Sequence, residues 1–135
     1  MSERVDRWRA FYEAFNRGNF DDAVRYLHPE VELSPALPAL EGSNLTGNRY
    51  RGRDELREFL KTITDAWETL TVELEETIEE GDRVLAVENW RALGRDGIEI
   101  NTRLIDVYTF RDGLVVRIDG FRDKAEALDA TGLSE

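Results

Sequence analysis

The chain has 135 residues, 41% of them hydrophobic and 10% aromatic, which suits one globular core and excludes disorder as the main state. Its 18 Lys+Arg against 29 Asp+Glu leave a formal net charge of −11, a field that repels phosphate backbones and anionic lipid head groups, so neither nucleic acid nor a membrane is expected as a partner. Cysteine is absent, which removes disulfides and thiolate chemistry, and the start of the chain is charged from Glu3 with no apolar signal core; a single cytoplasmic domain over residues 1–135 is the expectation.

Val5, Trp8, Phe11, Tyr12 and Phe15 stand at helical spacing, with Ser2 as a candidate N-cap and Gly18 as the stop. Phe20, Ala23, Val24 and Leu27 predict a second helix that ends at His28-Pro29, because the residue before proline disfavours helical dihedrals. A short strand fits residues 30–34. Residues 35–52 then break both periods with Pro35, Pro38, Gly42, Gly47 and Gly52, and residues 35–50 are expected to form a mobile mouth. A third helix is predicted from Leu56, Phe59, Leu60, Ile63 and Trp67, with Asp54 and Glu55 at its positive end. From Leu70 the period changes to two. Turn signals at Gly81-Asp82, Gly94 to Gly97 and Asp112-Gly113 divide the rest into four strands, and Lys124 to Leu128 reads as a last short helix.

Helices followed by a meander make an α+β plan, in which a strongly curved antiparallel sheet wraps the helices and leaves a pocket against its concave face. Tyr12 to Phe20 before His28-Pro29, Tyr50 to Leu56, Asp106 to Gly113 and Phe121 to Leu128 together resemble the SnoaL-like branch of the nuclear-transport-factor-2-like (NTF2-like) superfamily over essentially the whole chain. The resemblance implies a cone-shaped fold with a deep pocket, a homodimer formed through the sheet, and no cofactor. It specifies fold better than chemistry, since the superfamily includes polyketide cyclases, ketosteroid isomerases, epoxide hydrolases and proteins without catalysis.

Asp106 is the first candidate for chemistry. By strict alternation it shares a face with Leu104, Tyr108 and Phe110, where the pattern asks for an apolar side chain, so desolvation should raise its pKa and fit it for acid/base work. If Asp112-Gly113 is a two-residue turn, Asp106 falls opposite Asp119 and the two carboxyl groups couple; a three-residue turn with a bulge puts Ile118 there instead. The resemblance implies that Asp106 serves as the single acid/base of SnoaL-type cyclases. The same strand resembles the segment of ketosteroid isomerases that bears the oxyanion-hole acid, but the family's helical tyrosine falls on Phe11 and its base on Ser34. Epoxide hydrolases of the superfamily use an arginine between two aspartates; Arg103 has the type, yet three residues from Asp106 on a strand it faces the other way.

Glu88 and Trp90 share one face of the central strand, and with Trp8, Tyr12, Phe15, Phe59, Ile63, Trp67 and Tyr108 they are the candidate pocket lining. His28 is the only histidine, and its place before a proline at a helix end gives it a structural account; no metal site is expected. Ile105, Val107, Val116 and Ile118 are predicted on the outer face, where they motivate a homodimer. The functional expectation is an apolar small-molecule pocket, cyclising or isomerising a ring-bearing or polyketide-like metabolite, with a non-catalytic binding or dimerisation module as the alternative and epoxide hydrolysis behind both.

Overall fold

A computed structural model describes residues 3–35 and 49–133. Helix α1 (Glu3–Asn16) turns its aromatic stripe inward and ends at Gly18, whose φ of 74° lets Gly18 N–H reach the Phe15 carbonyl and Asn19 N–H reach that of Ala14. The Asn19 side chain then caps α2 (Phe20–Ala23), which continues for one 3₁₀ turn, Val24–Tyr26. The second helix is therefore shorter than its apolar spacing suggests, and Leu27 and His28 already belong to strand β1 (Leu27–Ser34). His28 is not a helix-end residue; its Nδ1 accepts from Glu30 N–H at 3.0 Å. The expected mouth falls mainly on residues 36–48 and lies outside the described residues.

Beyond it come a two-residue strand β2 (Tyr50–Arg51) and helix α3 (Gly52–Asp65). Trp67 lies past the end of that helix, half-buried against the core. Strands β3 (Thr69–Glu80), β4 (Arg83–Leu93), β5 (Glu99–Arg111) and β6 (Leu114–Phe121) complete a meander, and helix α4 (Lys124–Thr131) closes the described chain. The sheet order is β2-β1-β6-β5-β4-β3, with β1 parallel to β6 and the other neighbours antiparallel.

Two apolar clusters lie on opposite faces of this sheet. The larger packs α1 and α3 onto the concave face through Trp8, Phe15, Phe59, Ile63, Val84, Leu104 and Tyr108. The smaller is on the convex face, where Leu85, Val87, Ile105 and Val107 are covered by Ala127 of α4 and by Leu133. Ile105 and Val107 do point outward as alternation predicts, but they are 4% and 1% exposed within one chain, so the open patch that motivated a homodimer is closed by α4. Ile118 belongs to the inner cluster.

The reason for that last difference is a bulge. Asp112 and Gly113, both at positive φ, form the expected two-residue turn with Arg111 paired to Leu114. Val116 then adds one unpaired residue, since Phe110 pairs with Val115 while Thr109 pairs with Arg117. The register slips by one, and Asp106 faces Gly120 rather than Asp119 or Ile118.

Candidate functional site

Between the concave face, α1 and α3 lies a cavity of about 60 Å³, lined almost entirely by apolar and aromatic side chains. Helical spacing aims Trp8, Tyr12 and Phe15 into it from α1, and Phe59 and Ile63 from α3; strand alternation adds Glu88 and Trp90 from β4, then Asp106 and Tyr108 from β5. Each of these is among the residues expected at the site from the sequence. Trp67 does not reach the cavity, while Phe11, Leu33 and Leu60 do, the sequence having marked them only as core or leaving them aside.

Polar groups meet at one place on this wall. Ala86 pairs with Asp106 and Glu88 pairs with Leu104, so Glu88 and Asp106 are diagonal neighbours on the same face, a distance that long side chains bridge. Glu88 is fully buried. Both phenols, of Tyr12 and of Tyr108, donate to its Oε2, and Trp90 Nε1 donates to Oε1 at 3.0 Å. The phenol oxygens are 2.6 Å apart, and Tyr108 OH also lies 3.2 Å from Asp106 Oδ2. Each phenol has one proton to give, so Tyr108 cannot satisfy both carboxyl groups at once.

Burial is the largest effect on Asp106 and raises its pKa well above the usual carboxylate range; the Glu88 charge and hydrogen bonding to Glu88 raise it further, and the Tyr108 hydroxyl partly offsets them. The neutral acid is thereby favoured. Tyr12 and Tyr108 are also held well above the ordinary phenol value, first by burial and then by the Glu88 charge. Opposite Asp106, Gly120 has no side chain to fill the inner face.

Asp119 is not part of this site. It pairs with Val107 of the outer face, its carboxylate bonds Arg117 at 2.8 Å, and it contributes only the smallest of the effects on Asp106. Arg103 also points outward, paired bidentately with Glu75 at 2.9 and 3.2 Å, so no arginine stands between carboxylates as epoxide hydrolysis would ask. The ketosteroid-isomerase tyrosine falls on Phe11, yet the next residue, Tyr12, carries a hydroxyl into the cavity; Pro35 lines the wall beside Ser34, which brings no carboxylate. The central position of Glu88 was missed. Its signal was the same as that of Asp106, a carboxylate at an inward position of a central strand. Among the described residues no group of His, Asp and Glu is gathered to hold a metal, and no described helix is long and apolar enough to cross a membrane.

The model of the SnoaL-like domain matches residues 8–118. No curated protein matches the chain. Solved structures share its fold: an NTF2-like protein of unknown function from Burkholderia pseudomallei is 24% identical, with a TM-score of 0.79 over 96% of this chain and 97% of that one. TerC, co-crystallised with polyporic acid, is 22% identical with a TM-score of 0.79 over 95% and 97%. RV0760c from Mycobacterium tuberculosis, in complex with estradiol-17beta-hemisuccinate, is 16% identical with a TM-score of 0.75 over 93% and 97%.

Proposed function

Because the chain belongs to the SnoaL-like domain family, we propose that it binds a mostly apolar, ring-bearing small molecule in the cavity and moves a proton to or from it through Asp106, isomerising or cyclising it without a cofactor. The observation that carries this reading is the meeting of Asp106, Glu88, Tyr12 and Tyr108 on one wall of an otherwise apolar cavity. Apolar walls supply binding energy of about 25 cal/mol per Å² of ligand surface removed from water but no orientation. A single polar spot orients the ligand.

The chemistry follows from proton bookkeeping at that spot. Glu88 is held by three neutral donors, which fix its carboxylate without removing its charge, so it acts on the proton transfer as a positioning residue. Burial first, and then the Glu88 charge, keep Asp106 in the acid form. Asp106 in its acid form has one contact, 3.2 Å from the Tyr108 hydroxyl, and can give its proton to a ligand atom seated against it, then recover a proton from another. Tyr108 links the two carboxyl groups and can turn its hydroxyl toward Asp106 when Asp106 ionises. The ligands named for TerC and RV0760c, which share the fold, support a ring-bearing guest.

A second reading has its own observation. The closed set of bonds around Glu88 is what a purely structural polar network looks like, and it suits a binding protein without turnover. Screening ring ketones and quinones for a rise in melting temperature, then comparing turnover by wild type and Asp106→Asn, separates the two. Catalysis predicts that ligands stabilise both proteins while only wild type converts them. Stabilisation with no turnover by wild type leaves the binding module.

A further inference from the structure

Among the described residues, nothing balances the charge of the Glu88 carboxylate on the cavity wall. Glu88 is fully buried, and its partners Tyr12, Tyr108 and Trp90 are all neutral. Among the described residues no ion pair involves Glu88 or Asp106, and no Lys, Arg or His lines the cavity. Residues 36–48, ALPALEGSNLTGN, carry no basic side chain either. Neutral donors reduce the cost of burying a carboxylate without cancelling its charge.

We infer that the cavity takes a small aromatic or alicyclic amine in its protonated form, the ligand supplying the positive charge that the walls lack. This rests on the reading of the cavity as a ligand site and names the class of its ligand. Three features select a cation. Tyr12, Phe15, Trp90 and Tyr108 bring aromatic rings to the wall, and such rings attract cations, more strongly once water is removed. Trp90 sets its indole directly beside the carboxylate, so ring and negative charge act on the same guest. The net charge of −11 raises the local concentration of cations and repels anions before contact. A neutral guest leaves Glu88 unbalanced in a site it has just dried, and an anionic guest meets like charge there. A monocation completes the balance.

The test uses the full chain and three probes of similar size: benzylammonium, the neutral ethylbenzene and the anionic benzoate, with dissociation constants measured by calorimetry at pH 7. Benzylammonium is expected to bind about tenfold or more tighter than ethylbenzene, the equivalent of about 1.4 kcal/mol, with benzoate weakest. Glu88→Gln should erase that preference; if the variant does not fold, the wild-type ranking decides alone. Ethylbenzene or benzoate binding as tightly as benzylammonium overturns the amine assignment and leaves the ligand cavity standing. Absence of binding by all three overturns both.

Discussion

Asp106 and Glu88 occupy neighbouring inward positions of two adjacent strands, and Asp106 ties stability to pH. Asp106 has a folded-state pKa raised chiefly by burial, whereas in the unfolded chain it ionises near ~3.9. Between those two values the folded state holds a proton that the unfolded state has released, so its stabilising contribution is complete below ~3.9 and declines as pH rises until the folded pKa is passed. Asp106→Asn removes this slope. The variant is expected to melt at or above the wild-type temperature at neutral pH and to lose any turnover; a clear fall in melting temperature with turnover intact would end the assignment of Asp106. Tyr108→Phe should lower stability by about 1–3 kcal/mol in denaturant titrations, because it takes one of three donors from a fully buried carboxylate. A loss below about 0.5 kcal/mol would show that Glu88 does not depend on that hydroxyl. Alternation alone placed Asp106 inward. Glu88 obeys the same rule, but its share in the site depends on Tyr12, 76 positions away, and on Tyr108, 20 away; no local pattern records such a meeting.

Elements were more legible than the joints between them. The aromatic stripe of α1, the apolar stripe of α3 and the period-two strands each depend on burial of one face, which a sequence states directly. Register depends on one residue. The bulge at Val116 leaves no mark in the hydrophobic pattern, because Val115, Val116 and Ile118 would be acceptable on either face, yet it moves Asp119 away from Asp106. The parallel pairing of β1 with β6 was equally hidden, since it joins segments at opposite ends of the chain. One joint shows how α1 is fixed to the sheet. Strand β3 is an edge, and Val72, paired with Trp90, turns its N–H and C=O away from β4. The Asn16 side chain takes both, accepting from Val72 N–H at 2.9 Å and donating to Val72 C=O at 2.9 Å. Asn16 thus covers an edge that would otherwise be open to another strand. Asn16→Ala is expected to cost about 1–3 kcal/mol. Amides of β3 should also exchange faster with solvent hydrogen than in wild type, and unchanged exchange there would show that the clamp is dispensable.

At the scale of the whole molecule, the convex face of the sheet has two unlike halves. Its apolar half, Leu85, Val87, Ile105 and Val107, is closed by α4 with Ala127 and Leu133. The other half is a polar ladder in which Arg91 faces Glu73 at 3.8 Å and Arg103 faces Glu75 at 2.9 Å. A homodimer of the kind the SnoaL-like resemblance implies would therefore use the polar half, or would require α4 to leave. Removing residues 122–135 tests which half governs association. Fully burying each aliphatic side chain contributes about 1.5–3 kcal/mol, so uncovering several at once should lower stability by more than any single polar change described above. It also opens a contiguous apolar surface, and such surfaces drive self-association. The expected result in sedimentation at micromolar concentration is a truncated chain heavier than its parent, with a lower melting temperature and an association that persists at high salt, since salt screens ion pairs and leaves apolar contacts in place. Leu133→Ala, expected to cost about 2–5 kcal/mol, should move in the same direction without removing the helix. A truncated chain that stays monomeric and melts with the full one would show that α4 does not guard the sheet, and that the convex face keeps itself apart by its charges alone.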